Sequence, residues 1–152
     1  MAATRLIAMH QNKGRSIQKC LKDRTDYAQN PEKTEGGQLV SSYQCDPEFV
    51  EEQFAASKKE YLEITGRRYV GDIIAYQIRQ SFKPGEVTPE EAHRIGKELA
   101  DRYLGGKHEY VLATHLDRGH LHNHIIFNHV DFIDHKCFRN NHMYKCLQKL
   151  GN

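Results

Sequence analysis

The chain predicts an α+β fold: a central sheet of about five strands, antiparallel at least in part, with helices packed on it. Three observations lead there. Short strand-like segments alternate with helix-like ones in the order β-α-β-α-β-α-β-β, and the last two strands are close enough to form a hairpin. At 152 residues, 38% hydrophobic and 28% charged with 8 Tyr and 6 Phe, the chain has the length and composition of one globular unit with a single core. The organisation read from it is one domain over 1–152, with no internal repeat and no low-complexity tract.

Taken in order, "TRLIAMH" opens as a short apolar strand. "KGRSIQKCLKDRTDYAQN" follows with Ile17, Leu21 and Tyr27 near helical spacing, and "NPEKTEGG" stops it. "QLVSSYQC" reads as a second strand. Asp46 then supplies an N-cap and Pro47 a first helical residue for an amphipathic helix running to Ile64, with Phe49, Phe54 and Tyr61 on its apolar stripe and "TGRR" closing it. "YVGDIIAYQIRQSF" is β-branched and aromatic, hence a third strand, and "KPGE" is a turn. Thr88, Pro89, Glu90 and Glu91 combine a cap, a first-turn proline and two acids at the positive end of a helix that runs to about Leu104, where "GG" ends it. "KHEYVLATHLD" and "HLHNHIIFNHVDF" form the final hairpin around "RG".

Composition narrows the function classes. No apolar run reaches the roughly 18 residues of a membrane helix, and the N-terminus lacks the basic-then-apolar order of a signal peptide, so no membrane insertion and a cytoplasmic setting are expected. Cys20, Cys45, Cys137 and Cys146 contain no CxxC pair, which argues for reduced thiols. The net charge of +2 is distributed unevenly: residues 1–35 carry seven Lys/Arg against four acids and 57–83 six against three, whereas 84–101 carry two against five. That asymmetry permits a basic face for nucleic acid.

The densest chemistry lies in "THLDRGHLHNHIIFN", residues 114–128. Alternate residues of a strand share a face, so His120, His122 and His124 project together at about 6 to 7 Å spacing. With Arg118 and Gly119 as a two-residue turn, Asp117 falls opposite His120 and His115 opposite His122. His115, His122 and His124 then surround one point, a three-imidazole metal site with an open side, as catalytic rather than structural metals have. Asp117 is placed to accept an imidazole N–H and fix a tautomer. Leu116, Leu121, Ile125 and Phe127 take the opposite face and give the helices a surface to pack on. Surface histidines or a core cluster would be the ordinary reading of any one of these residues, and His10, His93, His108, His135 and His142 keep it.

"HLDRGHLHNHIIFN" resembles the third motif of relaxases, the mobilisation nucleases of conjugative elements, particularly their P class, whose HUH signature is two histidines separated by one residue. The resemblance extends back through "IRQSFKPGEVTPEEAHRIGKELA" to "DRTDYAQNPEKT", covers about 1–140, and leaves 141–152 as a divergent or truncated tail. It implies an HUH endonuclease-like fold with His122 and His124 as the signature pair and His115 as the third ligand. Tyr27 matches the tyrosine that attacks a DNA phosphodiester, forming a 5′-phosphotyrosyl intermediate at an origin of transfer. A divalent cofactor follows: Mn²⁺ or Mg²⁺ is favoured because the substrate phosphate brings hard oxygens, while three imidazoles also suit Zn²⁺. A free phenol ionises near pH 10, so Tyr27 needs help to lose its proton, with Asp26, His120 and Asp117 as candidates. Lys13, Arg15, Lys33, Arg79, Lys83 and Arg118 are the candidate phosphate contacts, and Gln80 or Tyr43 the candidate base contacts. Single-stranded origin DNA is the expected partner, with accessory mobilisation proteins, in a bacterial cytoplasm. Two other readings stand beside this one: a remnant that binds origin DNA without cutting it, and a small-molecule hydrolase whose three-histidine ion activates water.

Overall fold

A computed structural model of the chain describes residues 3–68, 71–116 and 120–138. Five strands form one sheet in the order β1-β3-β5-β4-β2, and every neighbouring pair is antiparallel. They are β1 (Ala3–His10), β2 (Val40–Tyr43), β3 (Ile73–Ser81), β4 (Tyr110–His115) and β5 (His122–Asn128). The expected α+β class is thus the observed one.

Three helices pack on this sheet, on both of its faces. The helix α3 (Pro89–Leu104) lays Leu99, Ala100, Tyr103 and Leu104 against Tyr76, Ile78, Leu112, Ile125 and Phe127. On the other face α1 (Ile17–Ala28) and α2 (Val50–Thr65) bring Cys20, Leu21, Val50 and Phe54 against Ile74, Val111, Ala113 and Ile126. Helices therefore cover the histidine-bearing side as well as the apolar side of the final hairpin. The second core is built from Val111, Ala113 and Ile126, which share the histidines' face further along β4 and β5.

The caps explain the helix boundaries. Ser16 accepts from Lys19 N at the start of α1, and Thr88 accepts from Glu91 N at the start of α3 while its hydroxyl donates to Glu91 Oε1 at 3.1 Å. Gly66 (φ +67°) and Gly105 (φ +60°) end α2 and α3 in the left-handed region that glycine enters without a Cβ penalty. One boundary differs from expectation. Asp46 caps a separate 3₁₀ turn over Pro47–Phe49, and α2 begins only at Val50, which leaves Phe49 exposed rather than on the apolar stripe.

Register is what positions the chemistry. Tyr110 pairs with Phe127 and His115 with His122, the pairing that a two-residue turn requires. That turn itself, with Asp117 and Arg118, lies outside the described residues. Cross-strand rows continue the pattern: Arg5, Arg79, His124 and Ala113 form one row, and Ala3, Ser81, His122 and His115 the next. No helix among the described residues is long and apolar enough to cross a membrane.

Candidate metal site

The α1 helix runs toward the end of the sheet that carries the histidines, and the carbonyl of Ala28, its last residue, accepts a hydrogen bond from His115 Nε2 at 2.7 Å. A carbonyl can only accept, so this nitrogen carries the proton and the lone pair of the neutral ring lies on Nδ1. Buried His115 (1% exposed) is thereby held by the helix as well as by its strand. His122 and His124 approach each other from alternate positions of β5, with Nδ1 of the first 3.0 Å from Nε2 of the second. The ring centroids of His115 and His124 are 4.1 Å apart, and those of His115 and His122 are 5.2 Å apart.

One nitrogen from each of His115, His122 and His124 lies within 4.8 Å of the others. Nitrogens bound tetrahedrally at about 2.1 Å stand roughly 3.4 Å apart, so small ring rotations suffice to bring the three onto one ion. The donor set fits a divalent metal. His115, His122 and His124 would hold such an ion, with His115 already anchored to the backbone of α1.

A cleft of about 370 Å³ opens beside these rings. Its lining includes Tyr27, Lys33, Arg79 and His120 together with the three histidines. Tyr27 comes from the last turn of α1, off the buried stripe of Cys20, Leu21, Thr25 and Ala28, and is 63% exposed. It is therefore an open phenol, off the packed stripe of its helix. Its ring centroid is 6.5 Å from that of His115. Lys33 Nζ donates to the phenolic oxygen at 3.3 Å and stands 4.9 Å from the ring centre. The loop that delivers Lys33 is fixed by its backbone: Leu116 N donates to Lys33 O and Thr114 N to Leu39 O, so the loop continues along the edge of β4 past the end of β2.

His120 also reaches the cleft, with its ring 5.4 Å from that of His122. Lys83 is exposed just beyond the end of β3 on the same side of the molecule. Lys13 and Arg15 are not brought in. They sit in the loop after β1, whose neighbour Gln11 bonds Asp72, at the opposite end of strands about 20 Å long, and Arg15 is paired with Asp23 at 2.5 Å. Asp26 points away to Lys22 at 3.2 Å. Neither base-contact candidate faces the cleft: Gln80 is 1% exposed and accepts from Asn123 on the α3 side, and Tyr43 stacks on Tyr110 on that side, at the far end of β4. Asp117 and Arg118 lie outside the described residues.

Two features escaped sequence reading. Arg5 is exposed on the edge strand directly across from Arg79, which itself pairs with His124, so the cationic ledge extends one strand further than expected. Only the pairing of β1 with β3 could have revealed it. The Ala28 contact is made by backbone and leaves no residue-type signal.

Comparison with known proteins bears on this arrangement. The family described as relaxase, MobA/VirD2-like, nuclease domain, matches residues 27–152. Protein rlx of Staphylococcus aureus is 36% identical over 112 residues, which is 74% of this chain and 33% of the relative's length. The group II intron-interrupted relaxase LtrB of Lactococcus lactis subsp. cremoris is 33% identical over 132 residues, which is 74% of this chain and 23% of the relative's length. The chain thus matches a quarter to a third of the length of these curated relatives.

Proposed function

Since the chain belongs to the MobA/VirD2-like relaxase nuclease family, we propose that it nicks one strand of DNA at an origin of transfer by transesterification, with Tyr27 as nucleophile. The observation that carries this reading is an exposed phenol on the wall of the cleft into which three imidazoles converge. Tyr27 Oη attacks the scissile phosphorus, the bond from phosphorus to the 3′ oxygen breaks, and the departing oxygen takes a proton to become a free 3′-hydroxyl. The product is a 5′-phosphotyrosyl enzyme. One phosphodiester replaces another, so the step runs backward as readily and the same tyrosine can rejoin the strand.

His115, His122 and His124 hold the divalent ion, Mn²⁺ or Mg²⁺ by preference and Zn²⁺ as the alternative that imidazole donors suit. Bound there, the ion supplies Lewis-acid polarisation of a non-bridging phosphate oxygen. The rest falls to the chain's own groups. The Lys33 ammonium puts positive charge beside the oxygen where negative charge collects as the phenol loses its proton. His120, at the cleft and outside the three-nitrogen cluster, takes that proton and later returns it to the leaving oxygen. Arg79 and Arg5 hold flanking phosphates along the open rows of β3 and β1, with Lys83 extending the path, and Arg118 is retained as a phosphate contact on its charge alone. Conjugative mobilisation is the process this serves, and accessory mobilisation proteins are its expected partners.

Incubating the protein with end-labelled single-stranded origin DNA and Mn²⁺ tests the proposal. A protein–DNA adduct that survives denaturation is expected, and it should vanish in Tyr27→Phe and on chelation. Salt-dependent retention of DNA with no adduct under any divalent ion would replace the enzyme by a binding remnant.

A further inference from the structure

Beneath the histidines, on the α3 face of the sheet, lies a row of buried polar residues that the proposed reaction does not use. Thr114 and Asn123 are fully buried and Gln80 is 1% exposed, and the three sit side by side across β4, β5 and β3. Their hydrogen bonds have a fixed direction. Asn123 Nδ2 donates to Gln80 Oε1 at 3.0 Å and to the Ala92 carbonyl at 2.8 Å, so its Oδ1 is left to accept, and Thr114 Oγ1 donates to it at 2.6 Å. Thr114 then accepts from His93 Nδ1 at 2.8 Å, and Ser41 Oγ donates to His93 Nε2 at 2.6 Å. Burial and the nearby Lys97 charge hold the His93 imidazole below its ordinary range, which agrees with a neutral ring carrying its proton on Nδ1. Gly96 makes room for this. A Cβ there would stand 2.5 Å from Asn123 Nδ2 and 2.8 Å from its Cγ. A glycine weakens the middle of a helix, and here the missing side chain is what lets the amide reach α3.

The pattern of the other face explains why such a row is needed. His120, His122 and His124 alternate, so sliding β4 by two residues against β5 still leaves His115 opposite a histidine, either His120 or His124. The apolar pairing tolerates one such slide as well, since Leu112 would meet Phe127 in place of Ile125. The polar row does not tolerate it. Either slide sets Thr114 against Leu121 or Ile125 and takes the buried Asn123 away from its hydroxyl partner. The opposite end of β5 has its own anchor in Asn128, which bonds Lys58, Glu109 and the Phe54 carbonyl. Asn123 is the anchor adjacent to the ligands.

We infer that Asn123 and Thr114, seated on α3 through Ala92, Gly96 and His93, are positioning residues that lock the histidine end of the β4–β5 pair into the one register in which His115 faces His122. The inference rests on the three-histidine ion site proposed above. A buried amide that specifies register has a physical precedent in helical assemblies, where it selects one alignment at some cost in stability.

The test replaces the pair by apolar residues of similar size, Asn123→Leu with Thr114→Val, and uses two measurements other than nicking. The expected result is a protein at least as resistant to heat, in which interstrand NMR contacts between Tyr110 and Phe127 persist. Contacts between His115 and His122 should become weak or multiple, and Mn²⁺ affinity by calorimetry should fall about 10- to 100-fold. Thr114→Ser, which keeps the hydroxyl, should bind Mn²⁺ like the unmodified chain, whereas Thr114→Val alone should lose part of the affinity. This single-residue contrast remains decisive if the double variant does not fold. A single His115–His122 pairing with undiminished Mn²⁺ affinity in the apolar variants would overturn the inference and leave the ion site standing. Failure of the unmodified chain to bind any divalent ion would instead bring down the ion site and the inference together.

Discussion

The two ends of β5 both carry polar side chains against the α1–α2 side of the sheet, and they use them in opposite ways. At the Asn128 end the groups satisfy one another inside the protein: Lys58 Nζ donates to Ile74 O at 2.7 Å and to Asn128 Oδ1 at 2.5 Å, and Asn128 Nδ2 donates to Glu109 Oε1 at 3.1 Å. At the His122–His124 end the nitrogens converge on a cleft that also admits a phenol. Burial drives Lys58 down to about 7, Glu109 upward and His129 down to about 4, so some of the strongest perturbations of titration lie away from the cleft. The contrast teaches that a displaced pKa marks a desolvated group, and that an accessible convergence of donors is the better sign of chemistry.

Substitutions at the two ends should separate these roles. His124→Ala should lower divalent-ion affinity on the order of 1000-fold by calorimetry and abolish adduct formation, with a small change in the urea midpoint. An unchanged affinity would show that the imidazoles do not act together. Asn128→Ala should do the reverse, costing about 3 kcal/mol in urea denaturation by stripping Lys58 and Glu109 of a partner, while ion affinity stays within about twofold.

Acid should expose the same asymmetry. His129 is held at about 4 by burial, then by the Lys58 charge and His108, against 6.5 in the unfolded chain. Between those values the unfolded chain binds a proton that the folded one does not, so its contribution is present in full above pH 6.5 and drains away as pH falls toward 4. His108, also lowered by burial, acts with the same sign. A loss of about 3 kcal/mol from His129 across that window is expected, and His129→Phe should flatten it. The smallest effect is reserved for the cleft: Lys33→Ala should slow adduct formation about 10-fold, roughly 1.4 kcal/mol in barrier, with little change in stability.

Much of this was written in local sequence. Alternation settles which face each residue of the final hairpin takes but leaves open slides of two residues, and the observed register is the one that brings His115, His122 and His124 together. Thr88, Pro89 and Gly105 bound α3 because capping is a local interaction. What remained illegible was everything decided by distant packing. Gln80 looks as exposed as Arg79 in the strand reading, yet the two point to opposite faces, and only α3 docking makes one of them core. Lys13 and Arg15 are basic and near Tyr27 in sequence, but α1 carries them to the other end of the sheet. Arg5 became a candidate only through the partner of its strand.

The bond from His115 to the Ala28 carbonyl has a consequence for mutagenesis. Because the acceptor is main chain, no exchange of side chain at position 28 can delete it, and an alanine scan along α1 would pass over the link without a trace. Short of replacing His115 itself, its removal demands a change in the number of residues between Ser16 and Tyr27, which would swing the phenol and unlatch the imidazole in a single stroke. Insertions into that helix, silent in chemistry but not in geometry, are where the coupling of attacking group and ligand would be heard.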